Sequence, residues 1–405
     1  MWGVCAYVGY SLGFGISVIA ALGGYMENNN NSVELYTGRE ALPVDIGKKR
    51  YDLMGIVIFS IACGVLLVRI FINLIASYVT SDMALDAIFT LMVQVGVLFV
   101  MPALIYYFAF KMKPKEILHF SNYRKTQWYN LALAVPIGIT AMFVTTGVSL
   151  LWQNVIALFG YTHSSSATEF PDTFNFGLFL VSVLLTGILP AVCEEFAIRG
   201  GLLTTMRKSF SQRKTILLMG VVFGLFHQNI TQVFYTALFG ALMAAIVLKT
   251  KSIFPAMIIH FLNNSTSVYI EYAENYGWWG GGYYDFIKVN LQTRPLAVLG
   301  LYMVVCAVFA GLLVLLFYLN SHSRLKKKKD VITSSGFDVT NGKVVLVGEE
   351  NPEMVRELDM EKEVYGAKQQ ELLFRPTLKD NVFYIGAIVV TVLSTIFSFI
   401  WGWVI

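Results

Sequence analysis

Two adjacent carboxylates, Glu194 and Glu195, stand in one of the most apolar parts of the chain, with Arg199 following them. Downstream come Phe223-x-x-x-His227 and His260-x-x-x-Asn264. Between Thr173 and Ile270, Glu194 and Glu195 are the only carboxylates, and His227 and His260 are the only histidines. An ionisable group in a lipid-spanning helix costs roughly 2.5–3.5 kcal/mol on insertion scales, so keeping several in one place implies use. A carboxylate beside a neutral imidazole can take a proton from water and make it nucleophilic. An imidazole and an amide on a neighbouring helix can donate hydrogen bonds to a developing oxyanion. Low dielectric strengthens both effects and can raise a glutamate pKa toward neutrality. That inventory suits peptide-bond hydrolysis without a covalent intermediate.

Spacing supports a common site. Lys208 and Arg213 flank a short loop; Glu194 lies fourteen residues before it and His227 fourteen after it. At about 1.5 Å per residue, both sit roughly 21 Å from that loop. By the same rise, His260 and Asn264 lie roughly 14–20 Å beyond Lys251. His260 and Asn264 are i,i+4 and share a helix face. Glu195 and Arg199 are also i,i+4, in the favourable order for an ion pair. Glu194, about 100° around the helix from Glu195, is left to face elsewhere. Gly187 and Pro190 should bend this helix just before the pair.

Each residue also has a plainer reading. A Glu195–Arg199 pair can simply stitch helices together, and Phe223 can be packing. His119, His163 and His322 fall in loops or at interfaces, where solvation accounts for them. Asn263 lies beside the proposed face rather than on it. Cys5, Cys63, Cys193 and Cys306 are scattered singly in apolar stretches, with no metal-ligand spacing and no disulfide framework.

These residues need a scaffold. The chain has 405 residues, of which 56% are hydrophobic and 14% charged, with a mean hydropathy of +0.62. Soluble domains carry about 25% charged residues. The expected fold is therefore all-α, a polytopic bundle of about ten transmembrane helices. Candidate spans are 2–25, 53–79, 85–110, 129–159, 174–206, 215–230, 232–249, 253–273, 296–320 and 382–405. The first lacks a basic leader and a cleavage site, and reads as a helix rather than a signal peptide. Its abrupt start at Met1-Trp2 leaves a mis-set start codon open. Ten spans put the basic clusters at 48–50, 111–125, 207–214, 249–251 and 324–329 on one side, the cytoplasmic side by the positive-inside rule. Both termini then face outward. The opposite loops, 161–172 and 277–292, are poor in Lys and Arg, and Trp278, Trp279, Tyr283 and Tyr284 suggest an interfacial belt. The net charge of +4 gives no reason to invoke nucleic acid.

The expected division is N-terminal helices at 1–127, a catalytic core at 128–275, an outer loop and helix at 276–320, a cytoplasmic subdomain at 321–381 and a last helix at 382–405. The subdomain is polar. Residues 337–347 alternate around Asn341-Gly342, a hairpin signal. Asn351-Pro352 then opens a charged helical stretch. A small α+β insertion is expected, and its leading lysine run reads as a topology anchor, with anionic-lipid binding as a second reading.

In order, E-E-x-x-x-R at 194–199, F-x-x-x-H at 223–227 and H-x-x-x-N at 260–264 resemble the CAAX-protease and bacteriocin-processing family, the Abi-type intramembrane glutamate endopeptidases. The resemblance covers about 174–270. It implies that Glu194 and His227 activate water, that His260 and Asn264 form an oxyanion hole, and that Glu195 and Arg199 support them. Gly200-Gly201 suits the same pattern by letting helices pack closely. The family does not fix the substrate; a membrane-associated peptide or lipidated protein tail is expected, and a bacterial cell membrane is expected because nothing in the sequence suggests a eukaryotic organelle signal. No cofactor is expected. A zinc variant, with Glu194, His227 and His260 as ligands, stays open, although no H-E-x-x-H is present. Non-enzymatic alternatives are an immunity or scaffold protein and, behind it, a proton-relay transporter.

Overall fold

The computed structural model describes residues 44–79, 81–161, 170–334, 337–340, 343–346 and 376–404. Long apolar runs make long helices. Seven helices among the described residues are long and apolar enough to cross a membrane. They are α1 (Lys48–Ile75), α2 (Met83–Phe108), α4 (Trp128–Ala157), α5 (Phe176–Ser209), α7 (Ile230–Thr250), α10 (Pro295–Ser323) and α11 (Lys379–Ile400). The chain is an integral, multi-pass membrane protein. Two further expected spans form helices that fall short of a spanning segment. The first, α6 (Gln212–Phe226), has only 15 residues. The second, α8 (Phe254–Tyr276), is interrupted by polar residues from His260 onward. Short helices α3 (Pro114–Phe120) and α9 (Tyr283–Thr293) lie in connections. The helix expected at 2–25 lies outside the described residues.

Local chemistry sets the boundaries. Asn175 caps α5 by accepting from the Leu178 N–H at 3.1 Å, and Asn229 caps α7 by accepting from the Thr231 N–H at 2.9 Å. Pro255 begins α8 where no N–H partner is needed, and Gly277 ends it in the left-handed conformation at φ +68°. Helices α6 and α7 form a tight antiparallel pair. A Cβ on Gly224 would come 2.5 Å from the Val233 carbonyl oxygen of α7, so only glycine allows this approach.

The long helices α2 and α5 are not uniform. Residues Met92–Val100 in α2, and Val183–Ile188 and Glu195–Leu202 in α5, form widened turns. At their ends the amides of Met101, Leu189 and Leu203 bond the carbonyls five residues back, at Gly96, Leu184 and Ile198. Such turns rotate the residues that follow and recur at functional sites. Widened turns stand on either side of the Leu189–Glu194 segment, where a bend at Gly187 and Pro190 is expected from the sequence.

The basic clusters gather at one end. Lys208 lies in electrostatic range of Arg50, Arg207 and Arg124. Ser252 donates to the Arg124 carbonyl, and Lys249 donates to Ser321. At the other end, Phe174, Phe179, Tyr272, Tyr276 and Trp278 pack as an aromatic cluster.

The expected α+β insertion is not supported. β1 (Phe337–Thr340) and β2 (Lys343–Leu346) pair antiparallel in register with the Asn341-Gly342 turn. Besides this hairpin, the described residues of 321–381 hold only the helical end of the Pro295–Ser334 segment and a short turn at Lys379–Asn381, and a single two-stranded hairpin is marginal by itself. The helix expected after Asn351-Pro352 lies outside the described residues.

Candidate active site

Helices α2, α5, α6 and α8 bring the sequence motifs together. Glu195 lies at the start of a widened turn of α5 and is fully buried. Its Oε1 accepts from Arg199 Nη1 at 2.9 Å and from His260 Nδ1 at 3.0 Å. Arg199, also fully buried, donates its Nη2 to the Gly240 carbonyl at 3.4 Å and stacks its guanidinium 4.0 Å from the centre of the Phe223 ring. Such a cation–π contact is worth about 2 kcal/mol when desolvated. Asn122 donates to the Arg199 carbonyl and to Thr204 Oγ1, each at 2.8 Å, which ties α5 to the α3–α4 connection. The expected Glu195–Arg199 pair therefore exists, and it also grips His260.

An ionised carboxylate only accepts, so the His260 Nδ1 must carry the proton in that bond. Its Nε2 then points onward, 3.9 Å from Glu194 Oε2. Asn264, one turn along α8, donates Nδ2 to the Thr186 carbonyl at 2.9 Å. Thr186 sits in the first widened turn of α5. The Asn264 Oδ1 accepts from Asn263, whose own Oδ1 accepts from Thr145. Asn263, placed beside the site by its sequence position, acts here as a brace for Asn264.

His227 ends α6. Its Nδ1 faces the Phe223 carbonyl at 2.8 Å, so the neutral ring keeps its lone pair on Nε2. The next residue, Gln228, is buried and left-handed at φ +48° without being glycine. Such a conformation persists only where the surroundings fix it. Here Gln228 Nε2 donates to the Ala62 carbonyl at 3.1 Å, and Arg69 Nη1 donates to the Gln228 carbonyl at 3.1 Å. Arg69 Nη2 also reaches the His227 carbonyl at 3.4 Å. Arg69 thus holds the turn that carries His227.

Glu194 faces two cavities. The larger, of about 780 Å³, is also lined by His227, His260 and Asn264. Along α8 its wall runs from His260 through Asn264, Ser267 and Glu271 to Glu274, away from the basic end. The smaller, of about 270 Å³, lies beyond Glu194 and His227 among Ile61, Val65, Val93 and Arg69. Glu194 Oε1 accepts from Gln94 Nε2 at 2.7 Å, while its Oε2 has no hydrogen-bond partner. The cluster can therefore hold a small polar molecule between a free carboxylate oxygen, two imidazoles and an amide.

Residues 175–266 match the family described as type II CAAX prenyl endopeptidase Rce1-like. This family is a protease family of CAAX type, and the matched segment holds Glu194, Glu195, Arg199, Phe223, His227, His260 and Asn264. No curated protein and no solved structure matched the chain. Among the described residues, no three of His, Cys, Asp and Glu group as a ligand set for a metal ion. The matched segment does not supply every residue of the site: Arg69 comes from α1 and Gln94 from α2, and Glu271 and Glu274 follow it. Gln94 and Arg69 carried one legible signal, a polar side chain inside an apolar span. Glu271 and Glu274 continue the i,i+4,i+7 stripe that starts at His260.

Proposed function

We propose that this protein is an intramembrane endopeptidase that hydrolyses a peptide bond of a membrane-associated peptide or lipidated protein tail with activated water. Glu194 Oε2 takes a proton as the water oxygen bonds to the scissile carbonyl carbon. The carbonyl electron pair moves onto its oxygen, where Asn264 and His260 donate hydrogen bonds. Because Glu195 fixes the Nδ1 proton, His260 donates from Nε2 as an imidazolium, which the Glu195 carboxylate stabilises. Collapse restores the carbonyl, breaks the C–N bond and returns a proton to the leaving nitrogen from the Glu194–His227 side. Glu195, Arg199 and Phe223 position this machinery.

The observation that carries the reading is the unpartnered Glu194 Oε2, which lines a 780 Å³ cavity together with His227, His260 and Asn264. The Rce1-like match supports the reaction class. The substrate is read as a peptide because the cavity wall offers hydroxyls and amides along its length: Thr145, Ser149, Gln153, Gln232 and Ser267. We place the protein in the bacterial cell membrane with its basic end cytoplasmic. Purified protein in liposomes should cleave members of a peptide library that includes lipidated peptides, and Glu194→Gln should not. A zinc assay of the same preparation tests the metalloprotease variant. A well-folded Glu194→Gln protein with undiminished activity would overturn the assignment.

A further inference from the structure

Gln94 lies in the widened turn of α2 and is 8% exposed. Its orientation is fixed, because only the amide NH2 can donate to a carboxylate oxygen; a flipped amide would set two acceptors against each other. With Nε2 on Glu194, the Gln94 Oε1 is buried without a hydrogen-bond partner. The Gln94–Glu194 pair therefore holds two buried acceptors without partners, Gln94 Oε1 and Glu194 Oε2, and both residues line one cavity. Leaving buried acceptors unsatisfied costs about 1–3 kcal/mol each. A molecule with two donors and a free lone pair satisfies both, and water is the smallest.

We propose that Gln94 holds and orients the nucleophilic water, acting with Glu194 as a two-point clamp; this rests on the peptidase reading above. One water hydrogen bonds to Glu194 Oε2, which takes that proton, and the other bonds to Gln94 Oε1. The oxygen lone pair then faces the scissile carbonyl. Gln94 exchanges no proton; it fixes the water's rotation and presents Glu194's second oxygen. The charged and titratable groups around the clamp are His260 and His227 in front, Glu195 and Arg199 behind, Cys193 and Tyr235 in electrostatic range of Glu194, and Arg69 across the smaller cavity.

The test compares wild type, Gln94→Met, Gln94→Glu and Glu194→Gln in liposomes against fluorogenic peptides with and without a lipidated cysteine. Gln94→Met keeps the shape but loses both hydrogen bonds, and should lower kcat roughly 10²-fold with KM nearly unchanged. Gln94→Glu restores donor and acceptor only while the new carboxyl is protonated, so its activity should be partial and fall along a new limb as pH rises. Wild-type kcat in Gln94→Met overturns the clamp. If Gln94→Met does not fold, a wild-type pH profile in Gln94→Glu does the same. Infrared difference spectra against Glu194→Gln read the Glu194 carboxylate stretch without turnover. A band unmoved by Gln94→Glu overturns the clamp even in a preparation that cleaves nothing. Absent cleavage with a shifted band sinks the peptidase reading alone.

Discussion

Glu194 and Glu195 are neighbours in sequence and opposites in environment. On the Glu195 side, a fully buried carboxylate is shared between a guanidinium and an imidazole, and that guanidinium rests on Phe223. On the Glu194 side, one carboxylate oxygen is held by Gln94, the other has no hydrogen-bond partner, and the residue borders a cavity. The first region is an ion-pair network closed to solvent, in which Glu195 Oε2 and Arg199 Nε stay without partners; the second borders a cavity. Buried charges are stable only when paired. A reacting group, by contrast, must keep a free lone pair. On the proposed reading, this difference puts stability on one face of the helix and chemistry on the other.

The comparison breaks most sharply at the two carboxylates. Glu194→Gln should lower turnover by about 10²–10⁴-fold, the usual cost of losing a general base, while melting temperature stays close to wild type. A large loss of stability in that variant would erase the distinction. Arg199→Ala should act in the other direction. It leaves Glu195 buried with only His260 opposite, at a cost of about 3–5 kcal/mol, read as a lower melting temperature and lower yield. Loss of turnover at unchanged stability would move Arg199 to the chemical side.

Asn264→Ala lies on the boundary between the two regions. As an oxyanion donor it should lose roughly 10²–10³-fold in kcat with little change in KM. A raised KM at unchanged kcat would make it a substrate-binding residue. The smallest expected effect is on packing behind the site. Gly224→Ala pushes α6 away from α7 and should cost about 1–3 kcal/mol by overpacking. Thermal unfolding in detergent measures it, and a variant as stable as wild type would show that the α6–α7 approach is slack.

Much of the membrane architecture was legible because it is local. Apolar run length marks spans, and depth from a charged loop follows from the helical rise. That arithmetic put Glu194, His227, His260 and Asn264 at one level, and they line one cavity. Gln94 is a polar side chain inside an apolar span, but its role is not legible there, because its partner is 100 positions away. Glu271 and Glu274 were within reach, since the stripe from His260 runs into them, but they fall beyond the apolar stretch that framed the search. The α+β insertion failed for another reason: a turn signal specifies a hairpin and leaves open whether anything packs on it.

The sequence by itself determined which residues can do chemistry, how deep each lies, and that Glu194 and Glu195 point in different directions. These follow from residue type and helical period. Only the tertiary structure decided that His260 donates to Glu195, that Arg69 and Gln228 lock the His227 turn, and that Gln94 meets Glu194. Those contacts join different helices, and their geometry depends on widened turns and on close helix approach. Both arise from packing between segments, which helical period alone does not encode.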